Sequence, residues 1–171
     1  MEVQCPQCGK EFVRRIPRSG FLETVASMVA LHPFVCQLCA HRFRAFQRGG
    51  RAQPLDQRQY ERIQVSFPMT FLSEGQQGEG AVLDLSINGC AVKTPAAPAT
   101  GTILTVQLQV PDLGRPIAIE AAVSRSVRSV YVGVEFLRLR AEEQYRLTQF
   151  VAGFLTARRL TQDAGAGREA R

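Results

Sequence analysis

Lysine is nearly absent. Of the 21 basic residues only Lys10 and Lys93 are lysines, and the rest are arginines. Arginine suits phosphate and carboxylate partners, because its planar fork donates paired hydrogen bonds. The net charge of +6 alone does not separate a nucleic acid from a nucleotide or a membrane surface. Long apolar runs are also lacking. The longest, Phe21 to Phe34, contains Glu23 and His32 and falls short of the ~18 residues a membrane span needs. The opening MEVQCPQC has no basic-then-apolar layout of a secretion signal. A cytoplasmic protein is expected, with peripheral membrane contact left open. The only histidines, His32 and His41, sit among the N-terminal cysteines. No Ser/His/Asp set is evident, so no enzyme is expected.

What is present divides into pieces. With 171 residues and 45% hydrophobic content, the chain has room for one medium domain and a small one. Residues 1–48 hold four of the five cysteines, and 49–56 (GGRAQPLD) read as a linker. From residue 57 the apolar positions alternate in short runs. These are Ile63–Phe71, Ala81–Leu85 with Leu83 and Leu85 facing inward, Leu104–Val110, Ile117–Val123 and Val130–Phe136. With a short strand near Cys90–Thr94, about six strands are expected in an antiparallel sandwich or barrel. Pro68 marks its strand as edge or bulged. Leu147, Phe150, Val151, Phe154 and Leu155 then form the stripe of an amphipathic helix, with Glu142 and Glu143 near its start as the helix dipole prefers. The second domain is thus expected over 57–162, and 163–171 as a disordered tail.

Cys5-Pro-Gln-Cys8 and Cys36-Gln-Leu-Cys39 are two CxxC pairs. Two residues between thiolates let both reach one tetrahedral ion from a tight turn, and Gly9 supplies backbone freedom behind the first. The reading is a structural zinc site in a small zinc-ribbon-like module that has too little core to fold unaided. The alternatives, disulfides or a redox CxxC, fit poorly with a cytoplasmic chain and a duplicated motif. His41 is a possible substitute ligand and more simply a surface residue. His32 is read as structural, and Cys90 as a small buried strand residue. The segment around Phe21–Val29 has helical spacing. It suits a short helix packed on the knuckles, or else an exposed face for a partner or a membrane.

Two further motifs carry polar chemistry. Arg58-Gln-Tyr-Glu-Arg62 follows the linker and precedes the first barrel strand. Asp84-Leu-Ser86-Ile-Asn-Gly89 places Asp84 and Ser86 at i and i+2, on one face of a strand, with Gly89 in the turn beyond. The glycine there would allow positive φ or close approach of a ligand. Arginines donate to phosphates and to guanine O6 and N7, and a carboxylate accepts from guanine's other edge.

RxxxR followed by [D/N]xSxxG on a β pattern resembles the PilZ domain family, and Gly133-Val-Glu-Phe136 is similar to that family's closing strand. The resemblance covers about residues 57–160. It implies a six-stranded PilZ-type barrel with a C-terminal helix that binds cyclic di-GMP without catalysis. Arg58 and Arg62 would grasp phosphates and guanine edges, and Asp84, Ser86 and Gly89 would hold a guanine against the barrel. Ligand binding would order the stretch Gly49–Arg62 and so reorient the zinc module towards an unidentified protein partner. The competing reading is nucleic-acid binding by the N-terminal module. Arginines 14, 15, 18, 42, 44 and 48 interleave there with Phe12, Phe43 and Phe46; a third reading is an adaptor held together by zinc, with an inert barrel.

Overall fold

The computed structural model describes residues 3–16, 30–47, 59–73, 75–111 and 113–166, with the backbone alone for 162–166. The 49–56 linker, Arg58 and the segment Phe21–Val29 lie outside these residues. Two compact units divide the chain, Met1–Glu61 and Arg62–Arg171. Residues 59–61, assigned above to the barrel domain, therefore belong to the first unit.

The N-terminal unit is a three-stranded antiparallel sheet in the order β1 (Val13–Arg15), β2 (Leu31–Cys36), β3 (Arg42–Phe46). Its core is small: Cys5, Phe34, Val35, Cys36 and Leu38 are buried, and Phe34 stacks on Phe43 with centroids 5.9 Å apart. So little apolar surface is a weak driving force by itself.

The second unit is a closed antiparallel barrel in the order β4-β5-β6-β9-β8-β7, comprising β4 (Ile63–Ser73), β5 (Gln76–Ser86), β6 (Gly89–Lys93), β7 (Ile103–Leu108), β8 (Ile117–Arg128) and β9 (Tyr131–Arg138). Alternation fills its interior with Phe67, Met69, Phe71, Leu104, Val106, Leu108, Ile117, Ile119, Val132, Val134 and Phe136, all buried. Bulges shift the pattern where strict alternation fails. The register slips between Val82 and Asp84, so Val82 and Leu85 are buried while Leu83 is half-buried on the outside. The expectation that Leu83 faces inward is corrected on this ground: one extra residue flips the face. In the pairing of β8 with β7 an extra β8 residue lies between Ile119 and Ala122, which likewise buries Ala122 rather than Ala121. Pro68 follows directly on a bulge between Gln64 and Phe67, and the pairing of β4 with β7 begins at Met69, past the missing N–H.

One helix, α1 (Ala141–Ala166), follows and packs on β8 and β4. Leu147, Val151 and Leu155 are its buried stripe, and Phe150 meets Phe67 edge-on at 6.2 Å. Phe154 is 43% exposed and leans on Phe150 instead. The helix reaches Ala166 and so replaces the first part of the expected disordered tail; nothing from 156 to 161 is buried. No helix among the described residues is long and apolar enough to cross a membrane.

Glu143 does more than complement a dipole. It is buried, its Oε2 lies 2.8 Å from Arg146 Nη1, and its Oε1 lies 2.7 Å from Arg115 Nη1. Arg146 also donates to the carbonyls of Pro116 (3.0 Å) and Leu113 (3.1 Å), which fastens the first helical turn to the β7–β8 connection. Burial by itself would raise the Glu143 carboxyl, but the hydrogen bond and charge of Arg146, with the charge of Arg115, hold it below the usual glutamate range. A depressed folded-state value stabilises above the ordinary carboxylate value, and that contribution is lost as pH falls through the folded one. Glu143→Gln should therefore cost about 2–4 kcal/mol at neutral pH and flatten the fall of barrel stability between neutral and acid pH. Thermal melts across that range check both.

Candidate functional site

Arg62 ends the approach to β4, and its guanidinium meets Asp84 on β5, Nη1 to Oδ1, at 2.7 Å. Register explains the meeting. Gln64 pairs with Asp84, and Arg62, two residues earlier on the same face, reaches it diagonally. Asp84 Oδ1 also accepts from the Ala91 backbone N–H at 3.0 Å. The pair is partly open, with side chains 28% and 16% exposed, so both groups remain accessible to a charged ligand.

Asp84 begins a row of register partners across four strands. It pairs with Ala91 on β6, Ala91 pairs with Gly133 on β9, and Gly133 pairs with Ser126 on β8. Ala91 lies between buried Cys90 and Val92, and Gly133 between buried Val132 and Val134; both therefore face outward. Beside the carboxylate the wall thus carries only small side chains, a shelf on which a flat ring can lie close to the backbone. Sequence reasoning missed Ala91 and Ser126, since register is not legible locally. Gly133 inside a strand was the one available signal of close approach.

Ser86, expected on one face with Asp84, does not share its exposure. Ser86 is 4% exposed; its Oγ donates to Gly89 O at 3.1 Å and accepts from Asn88 N–H at 3.4 Å. Gly89 has no positive φ. A Cβ there would lie 2.3 Å from Val134 O, so the glycine admits the neighbouring strand. Both residues build the β5–β6 turn that sets Asp84 in place. Cys90, beneath them, is fully buried, and burial, with the Asp84 charge, pushes its thiol up to about 12. Arg58 lies outside the described residues.

In the N-terminal unit Cys5, Cys8, Cys36 and Cys39 converge, with all four sulfurs within 4.8 Å of one another. Cys5 Sγ lies 3.6 Å from Cys39 Sγ, and Cys8 Sγ 3.6 Å from Cys36 Sγ. The two turns repeat one design. Cys5 N–H donates to Lys10 O and Cys36 N–H to His41 O, each at 2.9 Å, and the residue after each pair is left-handed, Gly9 at φ 69° and Ala40 at φ 59°. Burial raises the Cys36 and Cys39 thiols, and neighbouring sulfurs oppose ionisation of Cys39 further. Cys5 is lowered, because the N–H groups of Cys8 and Gln7 outweigh burial. Four such groups ionise together only around a cation, so this donor set fits a soft metal ion. His41 instead stacks on Phe43 at 6.0 Å.

A small antiparallel barrel with its polar site on the outer wall and a helix after the last strand is thus the class of domain defined here. The model of the PilZ domain family matches residues 56–153, and the chain belongs to that family. Among solved structures, the fold is similar to the Escherichia coli YcgR PilZ domain with c-di-GMP (14% identity, TM-score 0.50, covering 63% of this chain and 98% of that one). It is also similar to the Bacillus subtilis inhibitor of motility MotI/DgrA (18%, 0.51, 77% and 68%) and to K. pneumonia MrkH in its apo state (16%, 0.54, 86% and 77%). No curated protein matches the chain.

Proposed function

We propose that the protein is a non-catalytic receptor for cyclic di-GMP, with its ligand site at Arg62, Asp84 and the shelf formed by Ala91 and Gly133, completed by Arg58. The observation that carries the reading is the 2.7 Å pairing of Arg62 with Asp84, which joins the two family motifs at one spot on the outer wall. A guanine lying on the small-residue shelf would give its N–H edge to Asp84. Arg62 and Arg58 would bind phosphate oxygens or the O6/N7 edge. Ser86 and Gly89 take part by holding the turn. Membership of the PilZ family and the resemblance to a PilZ domain with c-di-GMP support the choice of ligand.

The metal of the N-terminal unit is read as structural zinc. A tetrahedral ion with Zn–S of ~2.3 Å sets neighbouring sulfurs near ~3.8 Å, close to the 3.6 Å separations here. Cys5, Cys8, Cys36 and Cys39 would hold it with no position left for a reacting water. Relay to a protein partner, in the cytoplasm, would follow from the ordering of the arginine-bearing segment.

Calorimetric titration with cyclic di-GMP, with cyclic di-AMP as control, tests the ligand. Arg58→Ala and Arg62→Ala each remove charge-assisted hydrogen bonds of roughly 1.5–3 kcal/mol. Each should weaken binding about ten- to a hundredfold without unfolding the barrel. Unchanged affinity in both variants would refute the site.

A further inference from the structure

The stretch before the barrel is expected from sequence to be ordered by the ligand, yet its last residues are held within the cysteine-bearing unit itself. Gln37 lies inside the second cysteine turn and is 5% exposed. Its backbone N–H donates to Phe12 O at 2.8 Å, and its side chain grips residues 59–61. Nε2 donates to Gln59 O at 3.0 Å and Oε1 accepts from Glu61 N–H at 2.5 Å. One amide spanning the C=O of a residue and the N–H two further on copies the pairing of a neighbouring strand, and the chemistry of those two groups fixes which end of the amide faces which. Arg42 on β3 adds a second hold, Nη2 to Gln59 Oε1 at 2.6 Å. Tyr60, between them, has its hydroxyl pushed up by burial and by Cys36 and Cys39, against the opposing charge of Arg42. Nε2 also reaches Val35 O, next to the turn, at 3.4 Å, the longer of its two contacts. A buried amide satisfied at both ends is therefore explained by what it holds.

We propose that Gln37 is a positioning residue for the Arg58–Arg62 segment, so that filling of the four-cysteine metal centre sets the affinity for the cyclic dinucleotide. This rests on the ligand reading given under Proposed function. The clamp grips main-chain groups of Gln59 and Glu61 and takes no part of the Arg62 guanidinium. Glu61 is bonded directly to Arg62, whose guanidinium meets Asp84. A segment restrained beforehand gives up less conformational freedom on binding. The cysteine turn that carries Gln37 keeps its shape only while its sulfurs are held together, so metal loss frees the segment.

The test uses the full chain and three readouts: metal content, backbone hydrogen exchange at 59–61 without ligand, and titration with cyclic di-GMP. Gln37→Ala should keep its metal, exchange faster at 59–61 and bind about tenfold more weakly. Gln37→Glu, which still accepts from Glu61 N–H but cannot donate to Gln59 O, should fall between. Arg42→Ala, outside the cysteine turn, should shift exchange and affinity the same way by about threefold, and it decides the matter if Gln37→Ala fails to fold or loses metal. Stripping metal from the unaltered chain should speed exchange at 59–61 and weaken binding. Unchanged exchange, faster exchange with unchanged affinity, or tighter binding would each overturn the proposal. Failure of the unaltered chain to bind cyclic di-GMP would instead sink the ligand reading, while the exchange data still judge the clamp.

Discussion

Cys36→Ser should release the metal and unfold the N-terminal unit, while the barrel keeps its own thermal transition. The expectation rests on size. Cys36 is wholly buried among Cys5, Phe34, Val35 and Leu38, and those few side chains form most of the apolar core of a three-stranded sheet. Each contributes about 1.5–3 kcal/mol, against roughly 1–2 kcal/mol of backbone entropy for every ordered residue. Metal bound by four thiolates is worth on the order of 10–16 kcal/mol in small zinc folds, far more than any other interaction available to this unit. Serine keeps the shape and loses the soft donor. Metal stoichiometry and two-transition calorimetry would show loss of the first transition alone. A metal-free variant whose sheet stayed protected from exchange would contradict the metal's structural role.

The second large effect is expected at Gly89. Its Cβ would stand 2.3 Å from Val134 O, a backbone atom of β9. That strand cannot withdraw, since β6 and β9 pair from Gly89 with Glu135 to Lys93 with Tyr131, and Phe136 N–H donates to Asn88 O at 2.9 Å. Gly89→Ala should cost about 2–4 kcal/mol, lowering the barrel's melting temperature by ~8 °C or more. Gly153, on α1 with nothing within 4 Å of its would-be Cβ, is the internal comparison; Gly153→Ala should stabilise by about 0.5–1 kcal/mol. A melting temperature for Gly89→Ala equal to the parent's would show that the turn is free to open.

The contrast between these glycines marks what the sequence makes legible. Strand alternation located all six barrel strands and the buried stripe Leu147, Val151 and Leu155, because a one-sided core imposes period 2 or 3.6 on neighbouring residues. The cysteine spacing located the four-sulfur cluster, since a tight turn needs only local residues. Pro68 flagged the bulged strand β4, but the bulge in β5 escaped, because the slip at Val82–Asp84 depends on the partner strand. For the same reason the sequence suggested a ligand or a positive φ at Gly89, where the strand from Val134 is the cause. Ala40 in the left-handed region has no local signature; only the match to Gly9 in the other cysteine turn reveals it. Glu143 with Arg115, and Gln37 with Gln59 and Glu61, join residues far apart in sequence, so no spacing announces them. The helix outran its expected end because Thr156–Ala166 contains no proline, and hydrogen bonding continues a helix past its last buried residue.

In the barrel each strand has a neighbour on both sides, so its main chain offers an incoming peptide no unpaired rim to extend. Recruitment by strand addition is closed to this unit. The three-stranded sheet differs, since among the described residues β1 and β3 are flanked on one side only. Among these residues, a peptide adding as a strand would find an edge on the cysteine-bearing unit and none on the barrel.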